Sequence, residues 1–173
     1  RLPHGFLCYR PPDDAPEVAL LPAQTAGYVT FGSFNMLPKT TPQVIALWAR
    51  LLQTLPNARL VLKNKSLRDP GTAERCAALF AAQGIDSRRL ELIGWLPSRQ
   101  EHLGLYSRID IGLDTFPYNG TTTTCEALWM GVPVISLAGD RHAGRVGVSL
   151  LSRLGLSEFI ADTPEDYVAR AVA

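Results

Sequence analysis

Cysteine pairs, long apolar runs and charge imbalance are all missing from this chain. Its three cysteines, Cys8, Cys76 and Cys125, are scattered and form no CxxC pair among the 173 residues. That excludes a disulfide framework, and it fits a reducing, cytoplasmic compartment. No apolar run approaches the roughly 20 residues of a membrane span, and no signal-peptide pattern is visible. Seventeen Lys and Arg face sixteen Asp and Glu, a net charge of +1, which argues against a nucleic-acid-binding or polybasic membrane surface. The two commonest phosphate motifs are absent, since no GxGxxG follows the first β-rich segment and there is no Walker A loop. No Ser-His-Asp or Cys-His arrangement stands out, nor any metal cluster. Asp110, Asp114 and Glu126 form no acid/base pair, so no strong catalytic base is visible. No solenoid-period repeat is present.

What is there begins with prolines. Pro3, Pro11, Pro12, Pro16 and Pro22 mark residues 1–26 as an extended arm or interdomain linker. The remaining 27–173, in a chain that is 46% hydrophobic, is long enough for one core and one domain. The chain starts at Arg1 and stops inside a helical pattern, so it is expected to be a piece of a longer protein. Strand patterns over 28–34, 59–63, 89–93, 109–113, 133–136 and 159–161 alternate with helical ones. Thr41-Pro42 and Thr163-Pro164 open two of the helices, and a third is expected over 72–83. Residues 64–70 read as a polar loop, and Ser98 and Glu101 stand at capping-box spacing. Six strand–helix alternations without a hairpin signal predict an α/β fold: a Rossmann-like, doubly wound parallel sheet of about six strands.

One stretch organises the rest: Asp110-Ile-Gly-Leu-Asp-Thr-Phe-Pro-Tyr-Asn-Gly-Thr-Thr-Thr-Thr-Cys-Glu-Ala-Leu-Trp129. A short apolar strand breaks at Pro117 and Asn119-Gly120 and resumes as a helix from Cys125. The four threonines between them belong at the helix mouth, where one would serve as N-cap. Capping alone is the plain reading. Four hydroxyls exceed its needs, and backbone N–H groups at the positive end of a helix dipole make an anion site, most simply for phosphate.

In a parallel sheet, ligands bind beyond the carboxyl ends of the strands. The strand-to-helix loops place Asn35, Lys39, Lys63, Lys65, Arg99, His102, residues 115–124 and residues 140–145 on that rim, while the opposite loops carry little chemistry. Lys39 reads as a phosphate counter-charge that stabilises a departing diphosphate, or as a solvated loop lysine. His102 reads as a base-stacking or phosphate-donating residue, or as a surface histidine. Glu126 reads as a ribose acceptor, or as a carboxylate complementing the helix dipole. His142 and Arg145 line the rim or are solvated, and Cys125 reads as a small packed residue.

The segments Phe31-Gly-Ser-Phe-Asn-Met-Leu-Pro-Lys39, Leu113 to Pro133 and His142-Ala-Gly-Arg-Val-Gly-Val-Ser-Leu-Leu151 resemble the catalytic region of the O-linked N-acetylglucosamine transferase / SPINDLY family of protein glycosyltransferases. The likeness runs from about Leu2 to the end. It implies the C-terminal, donor-binding half of a GT-B enzyme that transfers N-acetylglucosamine from UDP-N-acetylglucosamine to Ser or Thr with inversion. No metal or cofactor is implied, and tetratricopeptide repeats and the N-terminal catalytic half are expected upstream. By position, Lys39 matches the lysine on the diphosphate and carries the catalytic role, and Thr122 and Thr123 match the helix-mouth threonines. Glu126 matches an acidic residue near the ribose, His102 one that packs on the base, and Arg99 a basic residue beside it; Asn35 completes the donor set. Met36 stands where a glutamine is usual, Thr121 replaces a histidine, and Leu105 replaces an arginine. The Asp-Thr-Phe-Pro-Tyr and Thr-Thr-Thr-Thr-Cys-Glu wording leans to the SPINDLY branch, whose plant members use GDP-fucose. A protein O-fucosyltransferase and a non-catalytic nucleotide-binding module are the alternatives. The chain alone is expected to be inactive.

Overall fold

The computed structural model describes residues 5–173; residues 1–4 of the expected arm lie outside the described residues. Six strands form one sheet: β1 (Thr30–Ser33), β2 (Arg59–Lys63), β3 (Leu90–Ile93), β4 (Ile111–Leu113), β5 (Val134–Leu137) and β6 (Ile160–Ala161). Every pairing is parallel, in the order β3-β2-β1-β4-β5-β6. Chain order therefore reverses between β1 and β4, the switch point where a doubly wound sheet opens a ligand crevice.

The helices are α1 (Ala23–Ala26), α2 (Pro42–Thr54), α3 (Pro70–Ala81), α4 (Arg99–Gly104), α5 (Thr122–Trp129), α6 (Val146–Arg153) and α7 (Pro164–Val172). Thr41 opens α2 by accepting from the Val44 N–H at 3.4 Å, and Thr163 opens α7 by accepting from the Asp166 N–H at 3.1 Å. Each is followed by Pro at the first helical position, where its missing N–H costs nothing. α3 starts two residues earlier than the sequence pattern suggests. Asp69 accepts from the Thr72 N–H at 2.8 Å, and a carboxylate before Pro70 outcompetes Thr72 as the cap. The expected polar loop over 64–70 holds a 3-10 turn, Lys65–Arg68, capped by Asn64. Ser98 caps α4 by accepting from the Glu101 N–H at 3.0 Å.

Alternation along each strand sorts side chains to two faces. Phe31, Leu60, Leu62, Leu113, Ile135 and Ala161 pack beneath residues of α2, α3 and α7. Phe34, Val61 and Val134 point the other way, into a smaller cluster with Leu103, Tyr106, Ala127 and Met130. The first face closes on a buried polar chain. The Trp48 indole N–H donates to the Tyr167 hydroxyl at 3.2 Å, and that hydroxyl donates to the Asp114 carbonyl at 3.1 Å. So α2, the terminal α7 and the end of β4 are linked through one tyrosine oxygen.

The proline-rich arm contains the single helical turn α1, which a reading of residues 1–26 as extended does not include. It is tied down by Asp110. This buried carboxylate accepts from the Ala23 N–H at 2.8 Å and the Thr30 N–H at 2.7 Å, joining the arm to the amino-terminal end of β1. Among the described residues no helix is long and apolar enough to cross a membrane.

Tyr167→Phe removes an acceptor from a buried indole N–H while barely changing volume. The expected result is a loss of about 1–3 kcal/mol, read as a lower urea midpoint with an unchanged slope. An unchanged midpoint would show that the Trp48–Tyr167–Asp114 chain contributes nothing net.

Candidate functional site

The loop from β4 to α5 is wound around one carboxylate. Asp114 is 1% exposed, and its oxygens accept from the Thr115 N–H at 2.9 Å, the Gly120 N–H at 2.6 Å and the Ser136 hydroxyl at 2.7 Å. Asn119, fully buried, donates to the Thr115 carbonyl at 2.9 Å, and its own side-chain oxygen accepts from the Gly147 N–H at 3.3 Å. A side chain at Gly147 is impossible, because its Cβ would lie 2.0 Å from the Ser136 Oγ. Gly120 is equally confined: a Cβ there would lie 2.6 Å from the Thr123 Oγ1 and 2.7 Å from the Asn35 Oδ1. The Phe116–Pro117 peptide bond is cis. These contacts fix Gly120, and with it the point at which α5 begins.

At that point the threonines do something other than cap. Thr121 holds the N-cap position of α5, but no side chain caps the helix. The first-turn N–H groups, which lack intrahelical partners, stay directed at the rim. The Thr123 hydroxyl instead donates to the Asn35 side-chain oxygen at 2.9 Å, joining the mouth of α5 to the loop after β1. Thr122 is exposed at the mouth and Thr124 is buried behind it. Lys39 approaches from the other side. Its Nζ donates to the Asn119 carbonyl at 2.8 Å and stands 3.8 Å from the centre of the Tyr118 ring. Desolvation pulls its pKa below the usual lysine value, and the nearby Asp114 charge opposes that fall. The sequence-expected residues Asn35, Lys39, Thr121, Thr122 and Thr123 are thus gathered on one side of the switch point. Met36, next to them, is 65% exposed.

The rest of the expected set lies one helical turn further along α5. His102, in the last turn of α4, bonds through Nε2 to the Glu126 Oε2 at 3.0 Å. Its Nδ1 faces the Lys63 ammonium, also at 3.0 Å. The imidazole is held against Phe34 and Tyr106, both ring centroids 5.8 Å away. Arg99 stands exposed at the start of α4. The arm returns here too. The Tyr9 hydroxyl is buried near Glu126, Arg99 and Cys125, and burial first, then the Glu126 charge, holds its pKa above the ordinary tyrosine value. Cys125 is half-buried, and burial raises its thiol pKa.

Sequence reasoning put Lys63 on the rim without giving it a role, and it gave Asn119, Tyr118 and Tyr9 none. Lys63 ends a strand at the ligand edge, which was the available signal; Asn119 and Tyr118 looked only like turn residues. Leu105, which stands in place of an arginine, is buried in the smaller apolar cluster. His142 packs edge-on against Phe6 at 4.9 Å, and the Arg145 guanidinium donates to the Gly139 carbonyl at 3.0 Å. Among the described residues no three His, Cys, Asp or Glu side chains gather as metal ligands.

The family model described as glycosyl transferase family 41 matches residues 20–173. The chain belongs to glycosyl transferase family 41. It is 46% identical over 172 residues to the probable UDP-N-acetylglucosamine–peptide N-acetylglucosaminyltransferase SPINDLY of Hordeum vulgare, covering 99% of this chain and 18% of that protein. It is 31% identical over 165 residues to the UDP-N-acetylglucosamine–peptide N-acetylglucosaminyltransferase of Caenorhabditis elegans, covering 95% of this chain and 13% of that one. Among solved structures, a mutant O-GlcNAc transferase from Thermobaculum terrenum superposes with a TM-score of 0.88 at 44% identity, over 94% of this chain and 30% of that one. The apo structure of OtsA, at 17% identity and a TM-score of 0.58, shares the fold. This family 41 chain therefore has the fold of one half of a GT-B glycosyltransferase. It spans about a fifth of the length of the SPINDLY proteins it matches.

Burial pushes the Asp114 carboxyl up to about 6, against the opposing pull of its three donors and of Lys39. A carboxyl whose pKa is higher folded than unfolded (about 3.9) stabilises the fold most when protonated. That stability is whole below about pH 4 and is lost as pH rises through 6, in total about 3 kcal/mol at 1.36 kcal/mol per unit. Asp114→Asn keeps an acceptor for Gly120 and cannot ionise. Urea unfolding from pH 4 to 7 is expected to show the wild type losing about that much relative to the variant; parallel curves would mean that Asp114 does not titrate there.

Proposed function

We propose that this chain is the donor-binding half of a protein O-glycosyltransferase that moves N-acetylglucosamine from UDP-N-acetylglucosamine to Ser or Thr hydroxyls. In this reading transfer inverts the anomeric centre, uses no metal or cofactor, and takes place in the cytoplasm. The observation that carries it is the Lys39 ammonium held on the Asn119 carbonyl, two residues before the uncapped mouth of α5. A departing nucleoside diphosphate gains negative charge as the glycosidic bond breaks. A fixed ammonium and a row of helix N–H groups stabilise that charge more in the transition state than in the ground state.

The remaining residues fall into place around the nucleotide. Thr122 and Thr123 sit at the phosphates, with Asn35 holding Thr123 and Thr121 and Met36 flanking them. Glu126 accepts from the ribose, while His102 and Arg99 serve the base. The names of the SPINDLY and Caenorhabditis relatives support the donor and the peptide acceptor. The acceptor-binding surface, the general base and any tetratricopeptide repeats are assigned to the part of the protein beyond this chain.

Isothermal titration with UDP tests the reading. Binding is expected, and Lys39→Ala is expected to weaken it about 10- to 100-fold, the equivalent of one charge-assisted hydrogen bond. Equal affinity in the variant would remove Lys39 from the diphosphate site. Preference for GDP over UDP would move the donor to GDP-fucose.

A further inference from the structure

We infer that Lys63 is a positioning residue of the nucleoside end of the site, and that, with Glu126 fixing the proton on Nε2, it keeps the His102 Nδ1 an unprotonated acceptor. The inference rests on the donor-site reading above for its consequence, but not for its geometry. Lys63 ends β2 on the ligand rim, and its Nζ lies 3.0 Å from the His102 Nδ1. An ammonium carries three N–H donors and no lone pair, so Nδ1 must accept. On the opposite side of the ring, Nε2 lies 3.0 Å from the Glu126 Oε2. A carboxylate oxygen accepts, so Nε2 must donate. The two contacts, formed by residues 39 and 24 positions away along the chain, demand the same state: a neutral imidazole with its proton on Nε2. The other neutral tautomer would set two donors against each other at Nδ1 and two acceptors at Nε2. A doubly protonated ring would face the ammonium with a second cation.

The consequence concerns Glu126. Its side chain is 9% exposed, and that of His102 is 16% exposed. The His102 N–H holds Oε2 and leaves Oε1 to accept from a ribose hydroxyl. Lys63 therefore acts on the ribose contact through two other residues and touches no phosphate. Its pKa is lowered, chiefly by desolvation, and the Glu126 charge at the far end of the chain opposes that fall. A side chain at this strand end need only donate, never accept, which arginine also satisfies.

The test is two-part. Long-range proton–nitrogen NMR of histidine-labelled protein, with the His102 signal assigned through His102→Gln, reads the tautomer without any ligand. Wild type and Lys63→Arg are expected to show the neutral Nε2–H form. Lys63→Met keeps the Glu126 carboxylate on Nε2 but removes the cation facing Nδ1, and is expected to show a ring that carries a proton on Nδ1 as well. A proton on Nδ1 in the wild type, or an Nδ1 that stays unprotonated in Lys63→Met, would overturn the inference. Calorimetry then separates positioning from general damage. Lys63→Met is expected to bind UDP about tenfold more weakly, with affinity for inorganic diphosphate unchanged, and Lys63→Arg to restore UDP binding. Equal weakening toward both ligands would reduce Lys63 to a structural role. Absence of UDP binding in the wild type would defeat the donor reading and leave the tautomer result to stand or fall alone.

Discussion

Burying one ionisable carboxyl, Asp114, imposes most of the constraints seen around the site. A carboxyl group taken out of water must be surrounded by donors, and here they come from three directions: its own loop, Gly120 at the root of α5, and Ser136 on β5. Each donor is then fixed in turn. Ser136 leaves no room for a Cβ at Gly147, so α6 approaches the sheet as bare backbone. Gly120 is held so close to Asn35 and Thr123 that the mouth of α5 has one available position. Asp114 also offers its own backbone carbonyl to Tyr167, which reaches through the core to Trp48. The helix mouth is thus held by the protein's own contacts, the preorganisation that the proposed stabilisation of a departing diphosphate requires.

The two faces of the sheet divide the work. The face under α2, α3 and α7 is apolar and dense, and the buried Trp48–Tyr167 polar chain within it ends on backbone. The face carrying α4 and α5 is thinner, and aromatic and ionisable groups reach its upper edge: Phe34, Tyr106, His102 and Glu126. Polar groups cluster where the apolar layer ends, because there they can be half-desolvated and still find partners.

Much of the fold was legible before the structure was seen. Period-two and period-3.6 patterns and Thr-Pro helix starts located the alternating elements, because each is a local property of a few residues. Strand order was not legible, since it depends on pairing between distant segments. α1 was missed because its helicity rests on an N–H bond to Asp110, 87 residues away. The threonine run marked the start of α5, but its residues open the helix without capping it, and Thr123 serves a contact to Asn35 instead. Asp114 was noted only as forming no acid/base pair with Asp110 and Glu126, and nothing in its neighbours' names announces that it is buried. Lys63 was visible as a strand-end cation, but its bond to His102 spans 39 residues.

The arm has a mechanical meaning as well. It begins against His142, beyond the carboxyl end of β5, passes Val18 over Gly131, and ends at Asp110 by the amino end of β1. It therefore runs against the direction of the strands and is fastened at both ends of them. A pull along its length loads these fastenings together, as shear. A pull at right angles opens them in sequence, as peeling. In that sequence Phe6 and His142 part first and Tyr9, beside Arg99 and Glu126, comes next. Force carried by the chain ahead of Gly5 would arrive at the His102–Glu126 side of the rim well before it reached the hydrophobic interior.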